Sequence, residues 1–171
     1  MAKTEFPPAI KSRPVYGVLE PRPGALHLVV ADGEGAGAVI ELVAKSPDRA
    51  GMAAALHILY TPGPNGTDES ASLGSLGAAQ FFRAPTIPTL LPRLARVLAD
   101  AHMGTQFYLA GTEGLIGQSE RDIMATGFPW RDIQKEHRGS TLRRVQCVHC
   151  KGITENVATD PYPCSHCGLQ G

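Results

Sequence analysis

Apolar positions along this chain follow two rhythms. Short unbroken apolar runs alternate with stretches whose apolar residues recur at helical spacing. Ala25-Leu26-His27-Leu28-Val29-Val30-Ala31 is a run of strand length and predicts a buried strand. The glycine-rich stretch Asp32-Gly33-Glu34-Gly35-Ala36-Gly37 predicts a turn. Ala38 to Lys45 then carries Val39, Ile40, Leu42 and Val43, which suits a helix ending near Ser46-Pro47. Leu56-His57-Ile58-Leu59-Tyr60 predicts a second strand, closed by Thr61-Pro62-Gly63-Pro64-Asn65-Gly66 and a polar loop through Gly77. Gln80-Phe81-Phe82-Arg83 predicts a third strand.

From Thr89 to Ala101 the apolar residues Leu90, Leu91, Leu94, Val97 and Leu98 share one helical face. Pro92 is tolerable there because it is expected in the first turn. Gln106-Phe107-Tyr108-Leu109-Ala110 predicts a fourth strand. Gly111-Thr112-Glu113-Gly114 leads into a helix running to about Thr126, with Gly127 as its stop. Phe128-Pro129-Trp130 precedes a short last strand, Asp132-Ile133-Gln134-Lys135. Alternating strands and helices predict parallel strands joined by right-handed crossovers. The fold class is therefore α/β, a small doubly wound parallel sheet over residues 25–138.

Composition adds the flanks. Pro7, Pro8, Pro14, Pro21 and Pro23 forbid a regular helix before residue 25, so residues 1–24 read as an extended arm that wraps its own domain or a partner. No apolar run approaches bilayer length. Met1-Ala2-Lys3-Thr4-Glu5-Phe6-Pro7-Pro8 lacks the apolar core of a secretory signal, which points to a cytoplasmic protein. The formal net charge of zero argues against nucleic-acid binding, which needs a basic surface. Arg138, Arg143 and Arg144 form the one local basic cluster, read as a solvated hinge or a contact for an acidic partner.

The chemistry lies in residues 139–171. Cys147-Val148-His149-Cys150 is followed, after thirteen residues, by Cys164-Ser165-His166-Cys167, and these are the chain's four cysteines. Two such pairs can wrap one tetrahedral metal ion, at the short end of zinc-ribbon spacing. Gly152 and Gly168 are placed to take positive φ and turn amides toward the sulfurs. Two disulfides are the competing reading, but a cytosolic chain keeps its thiols reduced. His149 and His166 lie inside the knuckles; four thiolates already fill a tetrahedron, so both read as exposed or supporting residues. Zinc and rubredoxin-type iron both suit such a site.

Asp32-Gly33-Glu34-Gly35, Ala110-Gly111-Thr112, Gly127, Ile133 and Glu136 fall in an order and spacing that resembles the nicotinamide-binding domain of ferredoxin–NADP reductase-type flavoproteins. Three positions depart from that family's pattern. Glu34 stands where a small hydroxyl residue is usual, and its carboxylate competes for the place of a pyrophosphate at a helix N-terminus. Ala110 replaces the cysteine near the nicotinamide. His137-Arg138 offers no aromatic to stack on a flavin, and no flavin barrel precedes the sheet. The expectation is a degenerate reductase-like scaffold with no catalytic or cofactor-binding residues of its own; nucleotide binding at Gly33–Gly35 is the alternative.

Arg144-Val145-Gln146-Cys147-Val148-His149-Cys150-Lys151, Ile153-Thr154-Glu155-Asn156-Val157 and Cys164-Ser165-His166-Cys167-Gly168-Leu169 are similar to the small auxiliary subunits of bacterial dimethylamine monooxygenases. That resemblance implies a hetero-oligomer. A haem-bearing subunit would oxidise dimethylamine with O₂ to methylamine and formaldehyde. A reductase subunit with FMN and a [2Fe–2S] cluster would supply electrons from NADPH. This chain offers no flavin domain, no plant-type iron–sulfur spacing and no haem motif. Because the sequence ends soon after the second knuckle, the metal site is expected at a subunit interface, where a partner completes its surround. A stand-alone zinc-ribbon adaptor for protein–protein contacts is the alternative function. Lys151 is the only basic residue between the cysteine pairs, which disfavours nucleic acid there.

Overall fold

A computed structural model of the chain describes residues 16–64, 66–139, 143–157 and 161–170. Residues 1–15 of the predicted arm lie outside the described residues. The chain divides into two compact units, Met1–Gly139 and Ser140–Gly171.

The first unit is a five-stranded parallel sheet between two helical layers. Its strands are β1 (Leu26–Asp32), β2 (Leu56–Thr61), β3 (Gln80–Arg83), β4 (Thr105–Gly111) and β5 (Ile133–His137), in the order β3-β2-β1-β4-β5. The order reverses between β1 and β4, which makes the carboxyl ends of these two strands the switch-point crevice. Strands covered on both faces must be apolar at successive positions. On β1, Val29 and Ala31 pack into one layer with Ala36, Val39 and Leu42 of α1 (Gly35–Lys45). Leu28 and Val30 pack into the other, with α4 (Ile87–Asp100) and α5 (Glu113–Ala125).

Several element boundaries differ from expectation for physical reasons. Helix α1 begins at Gly35, so the predicted glycine-rich turn shrinks to Gly33 and Glu34. Any Cβ at Gly35 would collide with the Ala110 carbonyl of β4, so this glycine permits close helix–strand packing. Helix α4 begins at Ile87, which places Pro88 at its start and Pro92 inside it, not in the first turn. Pro92 lies on the exposed side. Burial of Leu90, Leu94 and Leu98 contributes roughly 2 kcal/mol each, which outweighs the cost of about 3 kcal/mol for an interior proline. Two short helices, α2 (Arg49–Ala54) and α3 (Ser70–Gly74), interrupt stretches without predicted structure. Each is held by a single buried apolar side chain, Met52 and Leu73.

Residues after Tyr16 run along the β5 edge. Gly17 N donates to Lys135 O (3.0 Å), Glu20 N to Gln134 Oε1 (2.8 Å), and Gln134 Nε2 returns a bond to Glu20 O (2.8 Å). This covers an edge strand that would otherwise present free amides and carbonyls. Among the described residues, no helix is long and apolar enough to cross a membrane.

The second unit is a two-stranded antiparallel ribbon, β6 (Arg143–Gln146) and β7 (Ile153–Val157). Among its described residues, Val157, Tyr162, Cys147 and Cys164 are the buried apolar ones. So small a core leaves most of the ribbon's stability to cross-links.

Candidate metal centre

The first knuckle, Cys147 to Gly152, is the loop between β6 and β7. The second, Cys164 to Leu169, repeats its hydrogen bonds position by position. Cys147 N donates to Gly152 O (2.9 Å), and Cys164 N to Leu169 O (3.0 Å). Lys151 N donates to Cys147 O (3.0 Å), and Gly168 N to Cys164 O (2.9 Å). Each turn needs a left-handed residue after its second cysteine. In the second knuckle this is Gly168, as expected, at φ +73°. In the first it is Lys151, at φ +60°, not Gly152.

Gly152 serves another purpose. A Cβ there would lie 2.6 Å from Cδ2 of His166. The imidazole fills that space and its Nε2 reaches Ile153 O at 2.9 Å. A carbonyl only accepts, so Nε2 carries the proton. His166 thus ties the second knuckle to β7, although both it and His149 are exposed. Thr154 adds a polar bond that the sequence did not signal: Ser165 N donates to its Oγ1 (3.1 Å).

The four sulfurs lie within 4.8 Å of one another. Cys147 Sγ to Cys167 Sγ and Cys150 Sγ to Cys164 Sγ are each 3.7 Å. A tetrahedron with metal–sulfur bonds of about 2.3 Å has edges of about 3.8 Å, whereas a disulfide requires about 2.05 Å. The cysteines are free thiols. This donor set could hold one tetrahedral metal ion. Cys147 and Cys164 are buried, and Cys150 and Cys167 face the surface.

Backbone amides favour thiolate at this site. The amides of Cys150 and His149 hold the Cys147 thiol below its ordinary value. Those of Cys167 and His166 bring Cys164 down to about 6. Cys167 receives the Leu169 amide, yet burial and the neighbouring sulfurs push it up to about 12. Adjacent thiolates repel, so without a cation the cluster keeps protons on some sulfurs. A di- or trivalent ion removes that repulsion, which is how the donor set fits a metal.

In the sheet unit, the chain's own groups bridge the crevice between β1 and β4. Asp32 ends β1 at 2% exposure. It accepts bonds from Thr112 N (2.8 Å) and Thr112 Oγ1 (2.6 Å), across the top of β4. Gly111, at φ +132°, has no room for a Cβ beside that carboxylate. Burial pushes the Asp32 carboxyl up, against the lowering effect of the Thr112 bonds. Gly33 meets Gly63, where a Cβ would lie 2.8 Å from Gly63 Cα, and Tyr60 Oη donates to Gly33 O (2.9 Å). Glu34 stands at the N-cap of α1 without capping it. Arg138 reaches α1 through Glu41 (2.7 Å) and also holds Glu136 (2.8 Å), whose other oxygen accepts from Leu19 N (2.9 Å). Asp32 and Thr112 both lie in the stretches that resemble the reductase family, but the sequence assigns neither a role; a carboxylate closing an apolar strand is the available signal.

Structural comparison finds this fold within larger proteins. Phthalate dioxygenase reductase, described as a modular structure for electron transfer from pyridine nucleotides to [2Fe–2S], matches with a TM-score of 0.56 at 16% identity, over 81% of this chain and 46% of that one. An intact type IV self-sufficient cytochrome P450 monooxygenase matches with a TM-score of 0.52 at 23% identity, over 73% of this chain and 16% of that one. The chain therefore spans less than half the length of either protein, and the likeness establishes a shared reductase-type fold. No curated protein sequence matches the chain at a significant level. Two family models do: the N-terminal domain of dimethylamine monooxygenase subunit DmmA-like proteins over residues 8–133, and their C-terminal domain over residues 144–170. Both units being matched, the chain belongs to the DmmA-like family of dimethylamine monooxygenase subunits.

Proposed function

We propose that this chain is a non-catalytic subunit of a multicomponent dimethylamine monooxygenase, and that Cys147, Cys150, Cys164 and Cys167 bind one metal ion, zinc or iron. The observation carrying the metal is the 3.7 Å sulfur spacing in two of the pairs. Zinc would supply structure alone, whereas iron would add a one-electron couple. Either would staple a ribbon whose described residues bury few apolar side chains.

The reaction is the oxidative demethylation of dimethylamine. Dimethylamine, O₂, NADPH and a proton give methylamine, formaldehyde, water and NADP⁺. A haem-bearing subunit would carry out the oxidation, and a reductase subunit with FMN and a [2Fe–2S] cluster would deliver the electrons. In this chain the Asp32–Thr112 bridge across the crevice and the Glu34 carboxylate at the start of α1 favour a scaffold over a nucleotide site. Around the knuckles, Val148, Ile153 and Leu169 remain 69%, 41% and 51% exposed. Large apolar groups beside two surface sulfurs suit docking against another subunit in a cytoplasmic complex.

Elemental analysis, an absorption spectrum and co-purification with a haem subunit test this reading together. One zinc or iron per chain is expected, iron being red in the ferric tetrathiolate. A metal-free chain, or a monomer without effect on oxygenase activity, overturns it.

A further inference from the structure

The amino-terminal edge of the sheet, at the opposite end from the switch-point crevice, holds a cavity of about 320 Å³. It opens between the starts of β1, β2 and β3 and the second half of α4. Leu26 and Val97 supply apolar wall, and His57 and Gln80 are cross-strand partners in it. Arg93, Arg96 and Asp100 complete the lining, on one face of α4 at helical spacing.

Two polar atoms here have no partner. His57 is 7% exposed, and its Nε2 is buried without a hydrogen bond. Arg93 Nε is likewise buried and unbonded. Buried donors of this kind are rare and call for an acceptor. The Arg93 guanidinium is held in place over the Phe82 ring, 5.0 Å from its centroid. Among the described residues neither Arg93 nor Arg96 forms an ion pair. Asp100 is the single carboxylate in the lining, so the two guanidinium cations exceed it by one charge.

We propose that this cavity binds a small molecule through an oxyanion, a carboxylate or a phosphate group, with Arg93 and Arg96 as counter-charges and His57 Nε2 as a hydrogen-bond donor. Guanidinium forks match the planar or tetrahedral oxygens of such groups. Burial and the facing Arg93 charge lower the His57 imidazole, so it is neutral near pH 7 and can donate without adding a third positive charge. The volume leaves space for several atoms beyond the anion, against Leu26 and Val97. This ligand site shares no residue with the cysteine cluster or with the Asp32–Thr112 bridge.

The test is a titration of the full chain with inorganic phosphate, and separately with acetate, at constant ionic strength. Histidine imidazole resonances are followed, with the His57→Gln variant assigning the signal. A saturable shift of the His57 resonance is expected in at least one arm, and the tighter arm identifies the preferred group. Arg96 is exposed, so Arg96→Gln leaves the fold intact and weakens binding about tenfold, as does Arg93→Gln. A linear, unsaturated shift in both arms, or an Arg96→Gln titration identical to the parent, overturns the proposal.

Discussion

Lys151 and Gly168 occupy the same place in the two knuckles, at φ +60° and +73°. The turn imposes the left-handed conformation on both, but only glycine adopts it without a penalty of about 1–2 kcal/mol. Lys151→Gly should therefore stabilise the ribbon by roughly 1 kcal/mol, and Gly168→Ala should destabilise it by a similar amount. Metal release against denaturant, measured on the full chain, reads both. Equal effects of the same sign would contradict the equivalence.

His166 depends on the missing side chain at position 152. Gly152→Ala places a methyl 2.6 Å from the ring and displaces it from Ile153 O. Overpacking of this kind costs about 1–3 kcal/mol. His166→Ala removes the clash, so the double variant should be less destabilised than the sum of the two single changes. Strict additivity in that cycle speaks against the contact.

Cys147 is 1% exposed and two backbone amides favour its thiolate. Under the proposed function, Cys147→Ser should reduce the metal content from one ion per chain to near none and weaken association with the proposed haem-bearing partner. A variant that keeps metal and partner would refute the ligand assignment. The sheet unit has its own core, so its helical circular dichroism should persist.

Asp32 links stability to pH. Its folded pKa is raised, so the folded chain holds this proton more tightly than the unfolded one. Its contribution to stability is greatest below the unfolded value of about 4 and is lost as pH rises through the folded value. Asp32→Asn removes that step. The stability of the variant relative to the parent should rise from pH 3.5 to pH 7, as read by thermal midpoints; a constant difference would refute the shift.

NADPH should give no saturable heat with the full chain in calorimetry. The Asp32–Thr112 bonds bridge the crevice and Glu34 places a carboxylate at the start of α1. Glu34→Ser alone should not restore binding, because Asp32 still bridges to Thr112. Micromolar binding by the parent would place a nucleotide site where the structure puts carboxylates.

What the sequence determined was local or periodic. A strand covered on both faces must be apolar throughout, so the runs at Leu26 and Leu56 were legible, and a knuckle is a local turn, so Cys147, Cys150, Cys164 and Cys167 could be grouped by spacing. What only tertiary structure decided lay between residues far apart in the chain. Gly35 looks like a turn glycine until the Ala110 carbonyl is set against it. Gly152 looks like the left-handed residue until His166 fills its place and Lys151 takes the strained φ. The Asp32–Thr112 bonds and the meeting of His57 with Arg93 join groups that no spacing rule connects. Periodicity reports which way a residue faces, but the partner it meets there is set by how the layers pack.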